Sequence, residues 1–226
     1  MRISLDSVSV EWDGNVALNR VSLDLDQKNI AVIGANGSGK STFARLLNGL
    51  VKPTSGRVLV GDTDVQADPK TAQRQAGFIF SNPDLQIIMP TVIEDVEFSL
   101  KPRKLGTTET SALARAALER FGIGGLADRR AHELSSGQKQ LLALAAVSVT
   151  DPKLIIADEP TALLDLRNTQ QVAEALFGLQ EQQVVLVTHD LSLAARCDIA
   201  VRFEAGQLIE IGEPAEVIAR YRRDYE

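Results

Sequence analysis

The chain has 226 residues, a formal net charge of -6, 44% hydrophobic residues and one cysteine. This length suits one generous domain, or a core with a subdomain. The acidic charge argues against nucleic acid as the main partner, and a single cysteine excludes an intrachain disulfide. No apolar run approaches the ~18 residues that a bilayer span needs, so we expect any membrane role to come through partner proteins.

The first 33 residues predict three strands. Apolar residues alternate from 2 to 10 and again from 21 to 25, and residues 30–33 form a continuous apolar run. Trp12, the only tryptophan, follows the first strand. It is either a half-buried aromatic at a strand end or a flat platform on which an adenine ring stacks.

A glycine-rich turn joins the third strand to a short predicted helix that ends near residue 50. Glycines allow backbone amides to wrap a phosphate chain, and the positive end of a helix dipole adds to them. The lysine and serine of such a loop serve the β- and γ-phosphates and Mg²⁺, respectively. The sequence therefore predicts a nucleoside triphosphate site at Gly34, Ala35, Asn36, Gly37, Ser38, Gly39, Lys40, Ser41 and Thr42.

The middle of the chain changes from alternating strands and helices to helices alone. Short strands are predicted at 57–61 and 77–80, and helices at 91–100, 109–121 and 138–149. Thr91 and Glu94 have the spacing of a capping box at the start of the first of these helices. Residues 88–149 thus predict a helical subdomain inserted into a parallel-sheet core.

The last third returns to the α/β pattern. Apolar strands are predicted at 154–157 and 184–187 with a helix at 168–180 between them, then a hairpin at 200–211 and a helix from about Pro214. The predicted fold is α/β: a P-loop NTPase core, RecA-like, with an N-terminal antiparallel β part and an inserted α-helical subdomain. We expect one domain over residues 1–226, with 1–87 and 150–226 forming the core.

Polar residues follow the two late strands, where parallel sheets bind ligands. Asp158 can hold Mg²⁺, and Glu159 can orient or deprotonate a water molecule. The alternative is that both carboxylates cap the next helix. His189 ends the second strand, where contact with a γ-phosphate is favoured over a purely structural role.

A third motif precedes the helix at 138–149 and consists of Leu134, Ser135, Ser136, Gly137 and Gln138. It resembles the signature of ATP-binding cassette (ABC) proteins, in which a second glycine usually stands where this chain has Ser136. By the same resemblance, Trp12 matches the adenine-stacking aromatic, Asp165 the loop after the magnesium carboxylate, and His189 the switch histidine.

The resemblance implies a mechanism. Two cassettes pack head to tail, and each ATP lies between one P-loop and the partner's signature motif. The paired state then depends on the γ-phosphate, so that hydrolysis opens the pair. We expect Ser136 to be tolerated at that interface because its side chain is small and can donate a hydrogen bond.

One departure from the family falls after the strand at 77–80, where ABC proteins usually have a glutamine that touches Mg²⁺ and water. This chain has Ser81 at that position, and Gln86 lies five residues on. We expect Ser81 to permit hydrolysis but to sense the γ-phosphate more weakly.

The stretch from Phe80 to Val96 looks like the ATPase of energy-coupling factor (ECF) importers, which usually read Phe-Gln-Asn-Pro-Asp-x-Gln and then Pro-Thr-Val. That resemblance implies a peripheral protein on the cytoplasmic face of a prokaryotic membrane, acting with a transmembrane coupling protein (T component) and a substrate-binding membrane protein (S component). Such importers carry vitamins, cobalt or nickel, and a short cassette with serine at 81 looks most like the biotin branch.

Two other classes remain open at this point. One is a soluble ABC ATPase in DNA repair or translation, which typically needs long coiled coils or two cassettes in one chain. The other is a regulatory nucleotide binder without turnover, against which Glu159 and His189 argue. Because most motifs are intact, we expect a homodimer, or a pair of cassettes, with ATP and Mg²⁺ as cofactors.

Overall fold

A computed structural model describes residues 1–225 and divides them into two compact units. The first unit comprises residues 1–77, 153–159 and 181–225, and the second comprises residues 78–152 and 160–180. The helical part predicted at 88–149 lies within the second unit, which also takes in residues 78–87 and 160–180.

An antiparallel sheet in the first unit consists of β1 (Ile3–Trp12), β2 (Asn15–Leu25), β4 (Ser55–Val60) and β5 (Thr63–Asp64). Its strand order is β2-β1-β4-β5. Buried and exposed residues alternate along β1 and β2, which were predicted as strands, and the alternation produces one covered face. A tight turn at Asp13 and Gly14, both with positive φ, joins these two strands.

A six-stranded sheet has the order β10-β9-β3-β8-β7-β6. Its central strands β7, β3 and β8 are almost wholly buried and apolar, which explains why they lack alternation in sequence. They pair in parallel, so their carboxyl ends lie at one edge. The strands are β3 (Asn29–Ile33), β6 (Ala76–Ile79), β7 (Leu154–Asp158), β8 (Gln183–Val187), β9 (Ile199–Glu204) and β10 (Gln207–Gly212).

Four helices belong to the first unit. The first follows the glycine-rich turn as predicted, and the last begins at Pro214, also as predicted. The second and third helices, together with β5, were not predicted. The four are α1 (Lys40–Leu47), α2 (Pro69–Gln75), α7 (Leu191–Ala194) and α8 (Pro214–Arg223).

The second unit is built on four helices whose apolar faces pack together. The predicted capping box is confirmed, because the Thr91 hydroxyl accepts from the Glu94 amide and the Glu94 carboxylate accepts from the Thr91 amide. The helices are α3 (Val92–Leu100), α4 (Thr107–Arg120), α5 (Ser136–Ser148) and α6 (Leu166–Phe177).

Within residues 1–225, no helix combines the length and apolar character that crossing a bilayer requires.

Candidate nucleotide-binding site

The glycine-rich loop between β3 and α1 surrounds a cavity of about 220 Å³ in the first unit. Gly37 and Gly39 have φ angles of 77° and 102°, which residues with a β-carbon rarely adopt. A β-carbon on Gly39 would also lie 2.6 Å from the carbonyl oxygen of Ala17. The loop therefore needs glycine for both backbone angle and space. The cavity is lined by Ala17, residues 36–42 and Glu159.

Lys40, the first residue of α1, has only 6% of its surface exposed. Its ammonium donates to the carbonyl oxygens of Gly34 at 2.8 Å and Ala35 at 2.9 Å. Burial lowers the pKa of this ammonium below its ordinary value, although the carboxylates of Glu159 and Asp158 act in the opposite direction. A triphosphate in the cavity would give this buried ammonium an anionic partner.

Ser41, the second residue of α1, is in direct contact with Asp158, the last residue of β7. The Ser41 hydroxyl donates to a carboxylate oxygen of Asp158 at 2.9 Å, and the guanidinium of Arg45 lies 3.9 Å from the other oxygen. A hydroxyl beside a carboxylate is a set of hard oxygen donors, which fits Mg²⁺ shared with phosphate oxygens. The residues present therefore fit a magnesium ion bound together with a nucleotide.

Glu159 and His189 are in direct contact at the carboxyl ends of β7 and β8. The Nδ1 atom of His189 lies 2.7 Å from the Oε2 atom of Glu159, and the same oxygen accepts the His189 backbone amide at 3.3 Å. Glu159 also lines the phosphate-loop cavity. A carboxylate in this position can accept a proton from water, and a histidine can orient that carboxylate.

Asp158, the last residue of β7, and Glu159, the residue after it, do not cap the next helix. Asp165 fills that role, because its side chain accepts from the backbone amide of Asn168 at the start of α6. The alternative considered for Asp158 and Glu159 is therefore excluded by the local structure.

Trp12 is the last residue of β1 and is 48% exposed. Its exposure leaves a ring face accessible, as stacking on a base requires. The cavity around the glycine-rich loop does not include it. The adenine-stacking role remains a prediction.

The signature motif opens helix α5 in the second unit. Ser135 caps the helix, with its hydroxyl accepting the Gln138 amide at 3.3 Å while the Gln138 side chain accepts the Ser135 amide at 3.0 Å. Ser136 is exposed, so its side chain has space where other cassettes have glycine. Position 137 has no space for a side chain, because a β-carbon on Gly137 would lie 2.4 Å from the side-chain oxygen of Asn168.

Ser81 and Gln86 lie in the loop after β6, also in the second unit. Ser81 is exposed. The Gln86 side chain donates to the Phe78 carbonyl at 3.1 Å and accepts from the Phe80 amide at 3.4 Å, while Gln140 donates to the Phe80 carbonyl at 3.1 Å. Gln86 is thus engaged in holding the backbone before Ser81.

Some residues of these sites were not identified from the sequence. Ala17 lies on β2 and lines the cavity, with its carbonyl oxygen close to Gly39, and Asn168 contributes a side chain beside the signature glycine. Neither belongs to a motif, so no local pattern marks them. Asn168 carries one weak signal: it stands three residues after Asp165, the spacing of a helix cap.

Comparison with known proteins identifies the family of this chain. The family model described as ABC transporter matches residues 18–162. A biotin transport ATP-binding protein of Rhizobium etli is 48% identical over 98% of this chain and 98% of its own length. A nickel import ATP-binding protein of Rhodobacter capsulatus is 38% identical over 96% and 91%, and an energy-coupling factor transporter ATP-binding protein of Latilactobacillus sakei is 37% identical over 92% and 76%.

Two solved structures share the fold. The structure of cbiO1 from Clostridium perfringens, described as part of the ABC transporter complex cbiONQ, has a TM-score of 0.87 at 32% identity and covers 97% of this chain and 92% of its own. The ATP-binding cassette MJ0796, dimeric and bound to ADP and phosphate, has a TM-score of 0.83 at 25% identity over 94% and 98%.

The chain belongs to the ABC transporter family, and its cassette is an ATPase domain. Within that family it is an ATP-binding protein of the energy-coupling factor type, and biotin transport ATP-binding proteins are among its similar relatives. The predicted family and fold class are thereby confirmed. The soluble DNA-repair or translation class receives no support from these relatives.

Proposed function

We propose that this chain is the ATP-hydrolysing subunit of an ECF-type importer, and that hydrolysis takes place in the cavity of the glycine-rich loop. The observation that carries the proposal is the contact between Glu159 and His189 at 2.7 Å, with Glu159 lining that cavity. A binder without turnover has no need of a carboxylate oriented beside a phosphate site.

Each residue of the site has a proposed role. Lys40 and the amides at the start of α1 bind the β- and γ-phosphates. Ser41 and Asp158 hold Mg²⁺, which when bound neutralises charge on the phosphates. Glu159 accepts the proton of the attacking water, and His189 holds the carboxylate in place and contacts the γ-phosphate. Trp12 stacks on adenine.

The working unit is a head-to-tail dimer in which the signature motif of a partner chain meets the ATP bound by this one. Ser135 and Ser136 would offer hydroxyls, and the start of α5 its amides, to the γ-phosphate. Support comes from the dimeric MJ0796 cassette bound to ADP and phosphate. A homodimer suffices, because one chain carries both half-sites.

The cargo that we propose is biotin, taken up through a T component and an S component while this chain is bound peripherally at the cytoplasmic face. The relative at 48% identity is a biotin transport protein, whereas the nickel import protein is 38% identical. Nickel or cobalt is the second candidate. A nickel import ATP-binding protein shares the cassette, and cobalt is the other metal that the resemblance to ECF importers implies.

The hydrolytic role is tested by measuring ATP turnover and ATP binding of purified Glu159→Gln. We expect kcat to fall at least ~100-fold, as for the loss of a general base, while the Kd for ATP stays within about twofold. Glu181→Gln, at an exposed position of the same unit, is the matched control and retains turnover. An unchanged kcat in Glu159→Gln would remove the proposed base.

The transport role is tested in the native host by purifying the chain from detergent-solubilised membranes and by measuring uptake of labelled biotin and of Ni²⁺. We expect two membrane proteins to be recovered with the chain, and biotin uptake to cease when Glu159→Gln replaces the wild type. Loss of Ni²⁺ uptake with normal biotin uptake would contradict biotin as the cargo. Recovery of the chain with ribosomes or DNA-repair proteins would contradict its role in an importer.

A further inference from the structure

The turn between β9 and β10 touches the back of the glycine-rich loop. The backbone amide of Gly206 in this turn donates to the carbonyl oxygen of Ser38 at 3.0 Å, and the Gly206 carbonyl accepts from the Asn19 amide at 2.8 Å. The turn is thus hydrogen-bonded both to the phosphate loop and to β2, within one unit.

We propose that the β9–β10 turn, residues 204–207, is a positioning element for ATP binding, with Gly206 as its key residue. The Ser38 carbonyl and the Gly39 amide belong to one peptide group, and in a trans peptide the C=O and N–H bonds point to opposite sides of the chain. When Gly206 holds the carbonyl on the outer side of the loop, the Gly39 amide is directed to the inner side. That side is the cavity where the phosphates bind.

The packing around this contact leaves the loop little freedom to move away. A β-carbon on Gly34 would lie 2.1 Å from the carbonyl oxygen of Phe203, and the ring of Phe203 packs on Phe43 of α1 at a centroid distance of 5.2 Å. Displacement of the hairpin therefore acts on both ends of the phosphate loop, at Gly34 and at Ser38.

The turn itself depends on glycine. Gly206 has a φ of 77°, and a β-carbon there would lie 3.0 Å from the carbonyl oxygen of Ala17. A side chain at this position strains the backbone and presses the turn away from β2 by a few tenths of an ångström. Because the Ser38 contact spans only 3.0 Å, such a shift weakens it.

Ion pairs around the buried guanidinium of Arg202 connect the hairpin to the last helix and the residue after it. The Arg202 side chain, 3% exposed, pairs with Glu204 at 3.1 Å, Glu210 at 3.5 Å and Asp224 at 2.5 Å. Arg220 of α8 pairs with Glu210 at 2.5 Å. The hairpin is therefore held from α8 on one side and contacts the phosphate loop on the other.

The experiment measures MgADP affinity by calorimetry and the KM and kcat for ATP in the full chain carrying Gly206→Ala. We expect about fivefold weaker MgADP binding and a matching rise in KM, the scale of one weakened hydrogen bond to the loop, with kcat within about twofold. Gly206→Asn is the second variant, since asparagine tolerates positive φ better than alanine and still places a β-carbon against Ala17.

The matched control is Gly122→Ala, which imposes the same backbone strain at a φ of 71° on an exposed turn with nothing within 4 Å of the new carbon. Its MgADP affinity should equal that of the wild type even if its stability falls equally. Normal affinity and KM in both Gly206 variants would overturn the inference. The inference rests on the proposed phosphate site, and that site would itself be refuted if Lys40→Ala bound MgADP normally.

Discussion

Glu159 has a backbone φ of 52°, in the left-handed region that residues with a β-carbon avoid. Its amide donates to the Val187 carbonyl of β8 at 2.9 Å, and its side chain reaches His189, so both ends of the residue are held in place. A left-handed conformation costs such a residue roughly 1–2 kcal/mol. The strain occurs where we propose that the water is activated, as is common at functional sites.

Glu159→Gly should make the fold more stable and the enzyme inactive. Glycine adopts positive φ without that cost, and after subtracting its greater entropy in the unfolded chain we expect a net gain of about 0.5 kcal/mol. Urea unfolding would report the gain, and ATP turnover the loss. Glu159→Ala keeps the strain, so it should lose activity without gaining stability. If the backbone angle carries no strain, the glycine variant should instead be less stable than the alanine variant by about 0.5–1 kcal/mol, the entropic cost of glycine.

Cys197, the single cysteine, should resist thiol reagents in the folded chain. It is buried, and burial raises the pKa of its thiol from 9.0 to about 12. At pH 8 the reactive thiolate is then about 1000-fold scarcer than for a thiol with the unshifted value. Labelling with a maleimide should be slow in buffer and reach one group per chain in urea. Fast labelling of the folded protein would contradict the burial.

Two helices of the second unit begin with the same type of capping box, but their capping residues have different roles. Thr91 caps α3, and Ser135 caps α5 with the hydroxyl that the proposed dimer would present to ATP. An N-cap residue satisfies an amide that the helix cannot satisfy itself. Ser135 therefore has two roles. It caps its own helix, and in the proposed dimer it contacts a nucleotide bound to another chain.

Substitutions at Ser135 should separate its role in capping the helix from its role in contacting ATP. Ser135→Ala should lower the free energy of unfolding by about 1 kcal/mol, whereas Ser135→Asp should keep it within about 0.5 kcal/mol because aspartate caps equally well. Both should lose ATP turnover, the aspartate through repulsion of the γ-phosphate. Thr91→Ala is the control: it should lose similar stability and keep turnover. Full turnover in Ser135→Asp would contradict a signature that meets phosphate.

How well an element could be predicted from sequence depended on where its contacts lie. The α3 cap was predictable because Thr91 and Glu94 contact each other locally. Helix α2 was missed because it buries one residue, Ala72, and so shows no apolar period, although Asp68 and Pro69 form a start signal. The contacts of Gln86 were unpredictable because its partners are backbone atoms of β6 and the residue after it.

The site residues were predictable where they lie at the ends of apolar runs. The glycine-rich loop, Asp158, Glu159 and His189 lie at or just after the ends of strands, so apolar runs indicated where they lie along the chain. Their contact distances, and the approach of Ala17 and Gly206 to the loop, depend on sheet order and on a hairpin remote in sequence. A single sequence carries no local signal for such contacts.

At the scale of the whole molecule, ATP should control association. With Glu159→Gln and ATP, we expect light scattering to report about twice the 24.4 kDa of one chain, because bound ATP persists between the two half-sites. ADP, or chelation of Mg²⁺, should return the monomer in a sample at low micromolar concentration. Lys40→Ala should remain monomeric with ATP. Dimerisation that does not depend on the nucleotide present would contradict the proposed switch.

The closeness of Gly137 to Asn168 restricts how this cassette can vary over evolutionary time. A side chain at position 137 is blocked by one at position 168, which in turn sits on the helix that Asp165 caps. A chain that lost the signature glycine could recover by removing the side chain at 168, because even the β-carbon of Asn168 would lie 2.8 Å from the new carbon. A genetic selection for suppressors of Gly137→Ala should therefore recover glycine at 168. The two positions would then covary although no motif joins them.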